Sequence, residues 1–294
     1  MALVVGLLVW QSRSNGGDSG MPSADDGVDR TVGLLTVRDP VCDEWTKAAN
    51  ELSDKTRAWS EADKSRPASE WDDEQRQMFD EAAAAMTTAA DRFESALPNA
   101  SHVVLKELIA QTIIHLRAYV AGLPGYEESD ALVLGVATNF GSAVTFMCTA
   151  VPLVRQLTGI PNEISRIDLD ADLLQPLLSK GDAVCDAFLS LVDRQNTVLR
   201  GWDATDPAIA ATDWTPEQRR LNMAVQKVLD EDSEQAGRLA AQSSDPVMRD
   251  LLFTYGVYVE AYATKLPGYE PDDNHMWRVA TYIGGGVAAA CEAR

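Results

Sequence analysis

The chain has 294 residues, 46% hydrophobic and 24% charged, which is material for about two packed domains and too apolar for a disordered chain. Its 45 acidic and 25 basic residues leave a formal charge of −20, which argues against a nucleic-acid binder and against a basic helix lying on anionic lipid. Three histidines and four cysteines leave little for a multi-ligand metal site, and no metal or other cofactor is expected.

Residues 2–10 (ALVVGLLVW) are unbroken apolar sequence. The run is too short to cross a hydrocarbon core, which takes about 20 helical residues. It also lacks the basic start and the small-residue cleavage site of a signal peptide. A frayed terminus or a short core helix would account for it, but a core helix would show polar positions at a 3.6-residue period. Residues 1–10 are therefore read as a truncated membrane anchor or signal remnant. Residues 11–32, rich in Gly, Ser and Asp, read as a flexible tether. Anchor, tether and folded part together predict a single-pass or signal-anchored cell-membrane protein with its folded part extracytoplasmic, or a secreted one. Frequent Arg, Ala and Asp hint at a GC-rich bacterial genome, by association only.

The next feature is a duplication. A shift of 143 residues lays residues 33–150 on residues 176–293 without a gap. Val41-Cys42-Asp43 falls on Val184-Cys185-Asp186, and Arg57 and Trp59 fall on Arg200 and Trp202. Trp71 falls on Trp214, Leu-Pro-Gly-Tyr-Glu at 123–127 recurs at 266–270, and Cys148 falls on Cys291. The expected domains are a four-helix copy over 33–150, a linker over 151–175, and a second copy over 176–294.

Each copy predicts four helices. The first carries Trp45, Ala48, Ala49, Leu52 and Trp59 on one stripe, mirrored by Phe188, Leu191, Val192, Leu199 and Trp202. The second opens on Asp72-Asp73-Glu74 or Thr215-Pro216-Glu217, which are N-cap and acidic first-turn chemistry. Its stripe runs Met78, Ala82, Met86, Ala89, Phe93 and Leu97. The third ends at Leu-Pro-Gly. The fourth is apolar nearly all round, so the two fourth helices are expected to pack between the copies. The fold class is all-α, a tandem duplication of an up-down-up-down four-helix bundle.

In that topology the start of the first helix meets the end of the fourth. The cysteines could be four reduced, buried thiols, but the repeated spacing favours Cys42–Cys148 and Cys185–Cys291, one disulfide per copy, and hence an oxidising compartment. The link 151–166 is expected to lie against the bundles.

The sequence carries no Gly-x-Ser-x-Gly, His-Glu-x-x-His, phosphate loop or Cys-x-x-Cys, so no catalytic residue is assigned and the chain is read as a non-enzyme. His115 reads as a hydrogen-bonded residue at the core edge, His102 as a surface or capping residue, and Asp272 as an N-cap. Arg57 and Arg200 with Glu74 and Glu217 are candidates to pair across the loop after the first helix. Trp59, Trp71, Trp202 and Trp214 flank that loop and either close the core or floor a ligand site. Gly284, Gly285 and Gly286, with Ala288–Ala290 after them, offer close approach to a helix of the other copy or of another protein. The leading expectation is a membrane-anchored helical protein of the bacterial cell envelope, acting through contacts with an unidentified envelope or membrane protein. The alternative is a carrier or sensor of a small apolar ligand or lipid within or between the bundles.

Overall fold

The computed structural model describes residues 31–164, 175–202 and 204–293. The apolar run at 1–10, nearly all of the tether and part of the linker lie outside the described residues. The protein is all-α in two disulfide-closed halves. The first half contains α1 (Val41–Lys55), the single turn α2 (Arg57–Ser60), α3 (Asp73–Ala96), α4 (Val103–Gly122) and α5 (Asp130–Val154). The second contains α6 (Cys185–Leu199), α7 (Pro216–Gln242), α8 (Pro246–Lys265) and α9 (Asn274–Glu292).

Within each half the long helices close a ring. α1 packs on α3 and α5, and α4 bridges α3 and α5; α6 packs on α7 and α9, and α8 bridges α7 and α9. Local chemistry sets the helix starts. The Asp72 carboxylate accepts from the Gln75 amide at 2.8 Å, and Thr215 and Gln218 cap α7 reciprocally. Past each Leu-Pro-Gly stop, Tyr126 and Tyr269 fold back. The Tyr126 hydroxyl donates to the Lys64 carbonyl at 2.8 Å, and the Tyr269 hydroxyl to the Pro207 carbonyl at 2.7 Å.

Cys42 joins Cys148 across 5.6 Å between Cα atoms, and Cys185 joins Cys291 across 5.5 Å. Beside each bridge, a buried aspartate ties the first helix of the half to its third. Asp39 accepts from the amides of Val41, Ser101 and His102. Asp182 accepts from the amides of Val184, Ser244 and Asp245 and from the Ser243 hydroxyl. Burial raises the Asp182 pKa, but these hydrogen bonds outweigh it and leave the group below its ordinary value. A depressed carboxylate stabilises the fold above the unfolded-state pKa and loses that contribution as pH falls through the folded one. Asp182→Asn is therefore expected to cost about 1–3 kcal/mol at neutral pH. In urea titrations from pH 7 to pH 3, the gap to wild type should narrow below about pH 4. A gap that widens there would contradict the assignment.

The halves meet along α5 and α9, which run antiparallel. Gly135 faces Ala289, Gly285 faces Asn139, and Phe146 stacks on Tyr282 with centroids 5.4 Å apart. α5 is long and apolar enough to cross a membrane by composition alone. Here it packs against α1, α4 and α9, as a helix with no polar face requires.

A reciprocal clasp reinforces the contact. The segment entering the first half lies on α8: the Gly33 amide donates to Thr254 Oγ1 and the Leu35 amide to the Tyr258 hydroxyl, both at 3.2 Å. The segment entering the second half lies on α4: the Leu177 amide donates to Gln111 Oε1 at 2.8 Å, and Gln111 Nε2 donates to the Gln175 carbonyl at 2.9 Å. Gln111 and Thr254 are 143 residues apart. Each half thus borrows a strap from the other.

Several local expectations are corrected. The first helix of the first half stops at Lys55, so Trp59 sits in the separate turn α2. Residues 151–154 continue α5, and a two-residue antiparallel pair, β1 (Thr31–Val32) with β2 (Glu163–Ile164), joins the connection back to the chain start. Gly33 turns the chain there at φ +111°, a conformation that a side chain resists, and an added Cβ would lie 2.3 Å from Asn162 Oδ1. Arg57 pairs with Asp54 and Glu217 with Arg220, each with a near neighbour in sequence rather than across the loop. Asp273, not Asp272, occupies the α9 N-cap position.

Candidate functional site

The four tryptophans singled out at the loops are all buried, but the two halves use them differently. In the first half, Trp71 stacks on Phe79 with centroids 4.0 Å apart, and Trp59 meets the same ring edge-on at 6.2 Å. Phe79 is fully buried and fills the end of the core.

The position equivalent to Phe79 is Asn222. Its Oδ1 accepts from Trp202 Nε1 at 2.8 Å, and its Nδ2 donates to the Gln218 carbonyl at 2.9 Å. An amide in place of a phenyl ring leaves a cavity of about 290 Å³, lined by Trp202, Trp214, Tyr262 and Tyr269 and by Asn274, Trp277 and Arg278 of α9. Trp277 crosses Trp202 edge-on at 5.4 Å, and Trp214 stacks on Tyr269 at 5.8 Å. At the equivalent positions α5 carries Ala131, Leu134 and Gly135, so this wall is particular to the second half.

The tyrosines are neutral. Burial, with the nearby carboxylate of Asp273, pushes the Tyr269 pKa up to about 12 and drives Tyr262 well above the ordinary phenol range. Tyr262 is only 3% exposed, and it lines the cavity.

The glycine triplet divides by face. An added Cβ at Gly286 would lie 2.3 Å from Phe140 of α5, and one at Gly285 would lie 2.6 Å from Asn139 Oδ1. The helix that these two admit is α5. An added Cβ at Gly284 would point instead toward Tyr255, 3.0 Å from its Cε2. Gly284 and Gly285 border a second hollow of about 320 Å³ with Gln195, Tyr255, Trp277 and Thr281. Behind it, Gln195 Nε2 donates to the Tyr255 hydroxyl and to Asp232 Oδ2, both at 3.1 Å, and Asp232 also pairs with Arg194. Burial raises the Asp232 pKa against the pull of Arg194 and Gln195.

His115 and His102 are both buried. His115 is 8% exposed, and its Nδ1 bonds the Gln111 carbonyl at 2.8 Å; burial lowers its pKa and keeps the ring neutral. His102, expected as a surface or capping residue, takes the N-cap position of α4 without a side-chain cap and is 2% exposed rather than at the surface, because Asp39 ties α1 to α4 there. Among the described residues no group of three or more His, Cys, Asp or Glu is placed to hold a metal ion.

Nothing in the sequence pattern marked Phe79, Asn222 or Trp277. The signal was present as a difference between aligned positions, at Phe79 against Asn222 and Leu134 against Trp277.

Comparison with known proteins gives two matches. A family model described as mycobacterial ESX-1 associated protein matches residues 22–294. An uncharacterized protein of Mycolicibacterium smegmatis (strain MKD8) is 26% identical over 290 residues, covering 94% of this chain and 76% of that relative. No solved structure matches.

Proposed function

Because the chain belongs to the family of mycobacterial ESX-1 associated proteins, we propose that it is an envelope protein serving that secretion system through protein contacts, not catalysis. The family match carries the reading. The paired disulfides support an extracytoplasmic position for both halves, since such bridges persist in oxidising compartments. Residues 1–10 would anchor the chain and the tether would hold the halves off the membrane. A formal charge of −20 favours a partner with a basic face, which would speed encounter and discourage acidic competitors.

The test uses the full-length product in a mycobacterium that carries ESX-1. Fractionation should place it in the membrane with its cysteines oxidised, and in-cell cross-linking should join it to ESX-1 components. Deleting the gene should reduce secretion through that system. A cytosolic product with reduced thiols would overturn the reading. Unchanged secretion together with no ESX-1 cross-link would overturn it equally.

A further inference from the structure

The cavity beneath Trp214 plays no part in the secretion reading and stands independently of it. Its walls alternate aromatic faces with neutral polar groups. Trp202, Trp214 and Trp277 present indole surfaces, and Asn274, Thr281 and the Tyr262 hydroxyl present hydrogen-bonding atoms. The Tyr262 side chain lines the cavity, where its hydroxyl can donate to or accept from a ligand oxygen.

The lining carries one acid, Asp206, and one base, Arg278, so its formal charges balance and no net field draws a charged ligand in preference to a neutral one. Among the described residues no carboxylate forms an ion pair with Arg278, whose guanidinium lies 5.1 Å from the Phe146 ring centroid. A fatty chain would leave the Asn274 amide and the Tyr262 hydroxyl facing methylenes. What suits these walls is a ring with an apolar face and hydroxyls around its edge.

The concavity continues along α9. The second hollow shares Trp277 and Thr281 with the first, and Gly284 and Gly285 border it. From this we infer that the second half binds a neutral saccharide of more than one ring, laid along α9 past Trp277. The aromatic faces stack on its rings, Tyr262 and Asn274 meet its hydroxyls, and Thr281 Oγ1, whose own proton goes to the Trp277 carbonyl, accepts from one. Phe79 fills the corresponding place in the first half.

The test is titration of the full-length chain with glucose, galactose, arabinose and short oligomers of each. Intrinsic tryptophan fluorescence and calorimetry follow it, with choline, benzoate and palmitate as charged and lipid probes. A saturable response to a neutral saccharide, tighter for the oligomer than the single sugar, is expected. Asn222→Phe installs the ring that the first half already accommodates and should weaken binding by about tenfold or more without lowering the melting temperature. Trp277→Ala should weaken it comparably and provides the test if Asn222→Phe fails to fold. Three results would each overturn the assignment: no saturable response to any saccharide, saturation by choline, benzoate or palmitate alone, or saccharide affinity retained in both folded variants.

Discussion

Removing either disulfide is expected to cost about 4–5 kcal/mol, because each closes a loop of 106 residues and the chain-entropy model scales with the logarithm of loop length. A chain with a typical reserve of about 5–15 kcal/mol loses a large part of it with one bridge and most of it with two. Cys42→Ala/Cys148→Ala and Cys185→Ala/Cys291→Ala should each lower the melting temperature by roughly 10 °C or more. Reductant should have no further effect on the quadruple variant. Counting thiols in unreduced, denatured wild type should find none. Four titratable thiols, or melting insensitive to reductant in wild type, would contradict the pairing. Peptide mapping that found Cys42 joined to Cys185 or Cys291 would do so as well.

The bridges and helix starts were legible in the sequence because each depends on local chemistry or on residues repeated at one spacing. A Thr-Pro-Glu start or a Leu-Pro-Gly stop acts within one turn of helix. The cysteines recur at the same two helix ends, and the apolar girth of α5 and α9 requires that both be covered. What lay hidden depends on contacts across the halves. Nothing near Gln111 or Thr254 says that each receives the other half's entering strap. Nothing in the composition of residues 151–164 marks a strand that pairs with the chain start.

The candidate site was half legible for a different reason. Searching for the repeat rewards identity, and the tryptophans stood out because they are conserved between the copies. Their neighbours decide what they do. Phe79 on Trp71 makes a core, whereas Asn222 under Trp202 makes a cavity, and the stripe read along the second helix passed through Met78, one residue before Phe79. Divergence between copies, not likeness, marks where the cavity lies.

The glycines of α9 give the second large effect, and they separate packing from helix propensity. A glycine inside a helix is about 1 kcal/mol worse than alanine, so Gly→Ala in an open position stabilises. Gly237 of α7 is such a position, with nothing within 4 Å of an added Cβ. Gly286 has the same propensity to gain, yet its Cβ would fall 2.3 Å from Cε1 and 2.5 Å from Cδ1 of Phe140, a fully buried ring between two packed helices. Interiors are packed too densely for that ring to step aside without displacing others. Overpacking of this kind costs about 1–3 kcal/mol, and a β-branched side chain costs more because its χ1 is stiff. Gly237→Ala should therefore raise the urea midpoint, Gly286→Ala should lower it, and Gly286→Val should lower it further. Adding Phe140→Leu to Gly286→Ala should recover part of the loss, since residues in direct contact couple in a double-mutant cycle. If Gly286→Ala stabilised the protein as Gly237→Ala does, α5 and α9 could not meet at the distance that joins the two halves.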